Sequence, residues 1–137
     1  MAAEDNAYCL SVDEASTFSS TARVNQELMA TGDAVVHLNC YEPGQVTPMH
    51  KHPEEDEVLY IVEGAGFIRF EEKDDLPFKA GDLVCLPGDQ FHRIHAGTDG
   101  RMKLLYFMKP GYWSARRQGP QPFPEIKRLP GEREQQA

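Results

Sequence analysis

Three features that would place this chain in a different class are missing. It has no excess of positive charge: 14 lysines and arginines stand against 22 acidic residues, a net charge of −8. No basic stripe alternates with aromatics, so a nucleic-acid surface is disfavoured. It has no long apolar run, and nothing approaches the roughly 18 residues that a membrane-spanning helix needs. The opening MAAEDNAYCL is too acidic for a signal peptide, so the expected location is cytoplasmic. Cysteine is scarce and unpaired in pattern. Cys9, Cys40 and Cys85 are far apart with no CxxC spacing, which predicts small, buried, reduced thiols rather than redox chemistry.

Long helical periodicity and internal repeats are lacking as well. The chain instead holds short alternating runs: Arg23–Leu28, Ala34–Leu38, Val58–Val62, Gly66–Phe70, Asp82–Leu86, Phe91–Ala96 and Met102–Met108. Between them lie breakers such as Glu42-Pro43-Gly44, Gly64, Lys73–Asp75, Ala80-Gly81, Pro87-Gly88 and Gly97–Gly100. That texture predicts an all-β antiparallel sandwich or barrel. At 137 residues, 40% apolar and 26% charged, the chain is long enough for one domain with a real core. The expected division is a lead-in over 1–22, a barrel over 23–115 and a proline-rich tail over 116–137. The lead-in carries a capping-box hint in Ser11 and Glu14. The tail is read as an extended arm, laid on the barrel or on a partner subunit, or as disorder.

One stretch carries chemistry. In HKHPEEDE, His50 and His52 are two apart and share a strand face, so both imidazoles can reach one divalent ion. Pro53 breaks the register after them. Glu54, Glu55 and Asp56 read as solvated charge on the bend. Glu57 shares a face with Leu59 and Ile61, where an acid needs a cation or a hydrogen-bond partner.

Gly44, five residues, His50-x-His52, four residues, Glu57, six residues and Gly64 together resemble the first motif of the cupin superfamily. Gly81, Pro87 and His92 resemble its second motif. The second motif departs from the pattern in two places: Pro87-Gly88-Asp89 sets glycine one place early, and Ala96 stands where the family closes on asparagine. The resemblance covers about residues 44–96. It implies a double-stranded β-helix, or jelly-roll barrel, of the small single-domain type, and it makes His92 a fourth ligand beside His50, His52 and Glu57.

Three imidazoles and a carboxylate suit one divalent transition metal: Fe(II) for an oxygenase, with Mn, Ni, Co, Zn and Cu as alternatives. No thiolate is among the four, so a closed structural zinc site is not indicated. Two positions of a six-coordinate ion would stay open, for a small oxygen-chelating substrate or for substrate and dioxygen. The expected function is therefore a non-heme dioxygenase-like enzyme, with Glu57 or the pocket residue Tyr106 moving a proton. The alternatives are a non-redox lyase, isomerase or cyclase, and a non-catalytic ligand-binding module. By strand parity His95 faces away from His92, and both it and His37 read as ordinary surface or core histidines. Trp113, Arg116 and Arg117 are expected to cover an edge or meet a partner. The family's habit and the need to cover sheet edges imply a homodimer.

Overall fold

Alternation with a period of two decides which side chains turn inward in the computed structural model, which describes residues 6–32, 34–52, 55–108 and 125–127. Among the described residues ten strands form: β1 (Val24–Ala30), β2 (Val35–Tyr41), β3 (Met49–Lys51), β4 (Glu57–Glu63), β5 (Ala65–Phe70), β6 (Leu76–Lys79), β7 (Leu83–Leu86), β8 (His92–Ala96), β9 (Met102–Met108) and β10 (Glu125–Lys127). They make two five-stranded sheets, β1-β2-β9-β4-β7 and β10-β3-β8-β5-β6. All pairings within them are antiparallel.

Leu59 and Ile61 of β4, Val84 and Leu86 of β7, Ile68 of β5, Ile94 of β8 and Met102 and Leu104 of β9 fill the space between the sheets. A second cluster sits outside the sandwich. Leu38 and Cys40 of β2 and Leu28 of β1 turn outward and are covered by Leu10, Val12, Ala15 and Phe18 of the lead-in. The capping hint holds: Ser11 Oγ accepts the Glu14 N–H at 3.1 Å and opens a one-turn helix, α1 (Val12–Ala15). Lys103 Nζ reaches Asp13 at 3.1 Å, fastening the same segment to β9.

Two expectations need amending, and one alternative for the tail holds over part of its length. Only Cys40 is a buried thiol; Cys9 and Cys85 are exposed, Cys85 because Val84 and Leu86 take the inward parity of β7. Strand β6 was hidden by Pro77, which an edge strand tolerates because its missing N–H faces no partner. Within the proline-rich tail, residues 125–127 pair with β3, so that portion lies on the barrel. Pro53, Glu54, Trp113, Arg116 and Arg117 lie outside the described residues.

Gly64 joins β4 to β5 at φ +82°, and a Cβ there would overlap the Arg101 carbonyl. Both the backbone conformation and the close approach demand glycine. Gly64→Ala is expected to cost on the order of 2 kcal/mol or more, read as a fall in the denaturant midpoint at unchanged m.

Candidate metal centre

The pairing of β3 with β8 sets His50 directly opposite His92. His52, just past the end of β3, keeps the same parity, while Lys51 between them is only partly buried. Glu57 opens β4 in the facing sheet, between β7 and β9 and in register with Leu86 and Met108. All four side chains thus converge between the sheets, and all four residues are buried.

One ring nitrogen from each of His50, His52 and His92 lies within 4.8 Å of the others, so the three buried histidines are placed to hold a metal ion. Glu57 Oε1 stands 3.5 Å from His92 Nε2 and 3.7 Å from His52 Nε2. Two rings are fixed from behind: His50 Nδ1–H donates to the Pro48 carbonyl at 2.7 Å, and His92 Nδ1–H to the Gln90 carbonyl at 2.9 Å. Each hydrogen bond sets the tautomer that leaves Nε2 with a lone pair. Glu57 Oε1 and His92 Nε2 are buried and make no hydrogen bond. A carboxylate oxygen and an imidazole nitrogen left so in a core are costly unless a cation completes them. The donor set therefore fits a divalent metal.

The electrostatics agree. Burial, then the charges of His92 and His52, hold His50 down at about 3 against the pull of Glu57. Burial also lowers His52. For Glu57, burial alone would push the carboxyl up. The His92 imidazole, with His52 and His50, outweighs it and holds the group at about 2. At neutral pH the centre thus offers neutral His50 and His52 imidazoles and an ionised Glu57.

Beside the centre lies a cavity of about 20 Å³, room for one or two water-sized groups. Its lining includes His50, His52 and Glu57 on one side and Arg23, Asn25, Asn39, Tyr41 and Tyr106 on the other. Tyr106 is buried, as inward parity on β9 requires, and its hydroxyl donates to Asn25 Oδ1 at 3.2 Å. His37 is a core histidine that stacks on Tyr106, with centroids 4.7 Å apart and planes at 16°. His95 faces outward and stacks on Phe67. The polar wall from Asn25 to Tyr41 was not foreseen. Its signal was there in 35–41, where His37, Asn39 and Tyr41 alternate with Val36, Leu38 and Cys40. The usual rule would send the polar set to solvent, but the apolar set is the one that turns out, under the lead-in.

The loop before His92 accounts for the early glycine. A Cβ at Gly88 would come within 2.8 Å of the Glu55 backbone nitrogen, and the Gly88 N–H donates to Asp56 Oδ1 at 2.9 Å. The left-handed position falls on Asp89, at φ +64°, a conformation that Asp tolerates better than most residues. Asp56 therefore braces the ligand loop, more than the solvated role expected of it.

A family model described as a cupin domain matches residues 37–108, more than half of the chain and all four converging residues. The chain is a cupin. Its solved structural neighbours include a double-stranded β-helix protein of Klebsiella pneumoniae (TM-score 0.70, 23% identity, 77% of this cupin and 92% of that chain). An RmlC-like cupin of Desulfovibrio desulfuricans gives a TM-score of 0.68 at 23% identity, over 77% of this chain and 98% of its own. Among curated proteins, this cupin is 32% identical over 71 residues to acireductone dioxygenase 4 of Oryza sativa, covering 48% of this chain and 38% of the relative. It is also 32% identical over 73 residues to auxin-binding protein ABP19b of Prunus persica, covering 50% and 35%. The cupin thus spans well under half the length of those curated relatives. No helix among its described residues is long and apolar enough to cross a membrane.

Proposed function

We propose that His50, His52, Glu57 and His92 together hold one divalent transition metal, and that the chain is a dioxygenase-like enzyme acting on a small oxygen-chelating substrate. The observation that carries this reading is the unsatisfied pair, Glu57 Oε1 and His92 Nε2, buried 3.5 Å apart among three converging histidines. The acireductone dioxygenases among the relatives favour oxygen chemistry over other uses of the fold. A metal bound there supplies a Lewis acid that stabilises negative charge on oxygen and, with Fe(II), a means of activating dioxygen.

The chain's own residues do the rest. The carbonyls of Pro48 and Gln90 hold two imidazoles in place, so little reorganisation accompanies binding. Glu57 contributes the one formal negative charge of the ligand set and is the nearest carboxylate to take a proton from a bound substrate. Tyr106 and Asn25, across the cavity, orient that substrate by hydrogen bonds. The apolar layer of Leu59, Ile94 and Leu104 beneath the site keeps bulk water out.

The test is dioxygen uptake by the Fe(II)-loaded protein with a panel of 1,3-dicarbonyls, catechols and thiols. We expect uptake with at least one class, and its loss in Glu57→Ala. Silence across the panel would overturn the dioxygenase reading in favour of a non-redox cupin lyase, isomerase or cyclase, or of a binding module, which the auxin-binding relative favours.

A further inference from the structure

Two tyrosines line the cavity beside the metal centre, and their hydroxyls differ. Tyr106 gives its proton to Asn25 Oδ1 at 3.2 Å. Tyr41, at the end of β2, is 0% exposed, and its hydroxyl is buried with no hydrogen-bond partner among the described residues. A phenol left so in a core forfeits the hydrogen bonds it makes in water, a cost that phenylalanine of nearly the same shape would avoid. The inward parity it shares with His37 and Asn39 brings Tyr41 to the same lining as His50, His52 and Glu57. Electrostatics locate the hydroxyl end. Burial pushes the phenol up, but the group also responds to the charges of Arg23 and Glu57, both of which line the cavity.

The size of the cavity says what completes this hydroxyl. About 20 Å³ suits one water-sized group. A buried water makes roughly three hydrogen bonds, and the lining supplies the groups for them. Beside the Tyr41 hydroxyl stand the Glu57 carboxylate and Thr47, whose Oγ1 accepts the Ile94 N–H at 2.9 Å and whose own proton is still to be given. We propose that Tyr41 is the hydrogen-bond donor of a subsite for one water-sized acceptor, water or hydroxide at rest, on the side of the metal centre that this cavity borders. The inference deepens the metal-centre reading above and rests on it. The buried phenol keeps its proton at neutral pH, so it enters as a donor and favours a compact, strongly accepting ligand over a longer, weakly accepting one.

The probe is fluoride, a water-sized acceptor, titrated into the Co(II)-loaded full chain and followed by the broadening of its ¹⁹F resonance. Thiocyanate, a longer ion and a weaker acceptor, is the reference and is followed by the visible spectrum of the cobalt. Tyr41→Phe should hold fluoride about 10-fold more weakly than wild type, the worth of one hydrogen bond to an ion. Its affinities for Co(II) and for thiocyanate should stay at the wild-type values, which a loosened fold would not allow. Equal fluoride affinity in wild type and Tyr41→Phe would overturn the inference and leave the metal reading standing, as would a cobalt-loaded wild type that takes no fluoride. Loss of cobalt binding in Tyr41→Phe would make the hydroxyl a support of the fold and overturn the inference as well. Failure of the wild type to take up cobalt would overturn the metal reading and this one with it.

Discussion

Replacing His92 by alanine is expected to abolish metal uptake and leave the fold in place. His92 lies opposite His50 and contributes an Nε2 that has no hydrogen bond, so its removal takes away a ligand at the cost of one part-buried hydrogen bond, that to the Gln90 carbonyl. Changing a residue behind a ligand commonly costs 10- to 100-fold in affinity, and loss of the ligand itself should cost on the order of 100-fold or more. His50→Ala and His52→Ala should act alike. Glu57→Gln should act as strongly, because it removes the only carboxylate among the four residues while keeping the shape. The measurement is metal content after dialysis, paired with the melting temperature before and after metal addition. With free metal near a thousand times its dissociation constant, wild type should gain about 4 kcal/mol of stability, and the variants should gain almost nothing. Wild-type occupancy in all four variants would rule the site out.

The sheets and three of the four converging residues were legible because each depends on short-range geometry, whereas His92 was reached only through the resemblance to the second cupin motif. The i, i+2 spacing fixes His50 with His52, and the parity of β4 carries Glu57 inward with Leu59 and Ile61. What escaped depends on long-range covering. Strand β2 is buried on both faces, and its own sequence cannot say that the lead-in covers Leu38 and Cys40 and leaves His37, Asn39 and Tyr41 to the barrel. Asp56 is similar: within HKHPEEDE it is one acid in a row, and only the return of the chain at Gly88, 32 residues on, gives it a partner. The same holds for β10, whose partner β3 is more than seventy residues earlier. Motif spacing thus identified residues that converge on one place. Residues that act on each other across strands needed the fold.

The metal-free protein should lose stability steeply on mild acidification, well before its carboxylates titrate. His37 and His50 are ordinary histidines in the unfolded chain, protonating near 6.5, whereas in the fold burial holds them at about 4 and about 3. Below pH 6.5 the unfolded state therefore binds protons that the folded state refuses, and the balance moves toward unfolding as pH falls. Each such group contributes a slope approaching 1.4 kcal/mol per pH unit. Two of them imply a loss of about 2 kcal/mol between pH 6 and pH 5, with His52, also lowered, adding in the same direction. Glu57 acts later: held at about 2, it stabilises the fold above its ordinary value of 4.5, and that contribution fades only as pH falls from there toward 2. Urea midpoints at half-unit steps from pH 7 to pH 4.5 measure the slope directly. His37→Phe should remove about half of the part due to His37 and His50, because it deletes one of the two refused protons and leaves the four proposed ligands untouched. A flat profile from pH 6.5 to pH 5 would mean that these imidazoles are not buried as neutral bases. Metal should raise the stability at neutral pH by mass action but should not flatten the slope, because a bound cation keeps its imidazoles deprotonated in the folded state and leaves the same protons refused. Acidification of the loaded protein should accordingly show metal release and unfolding together.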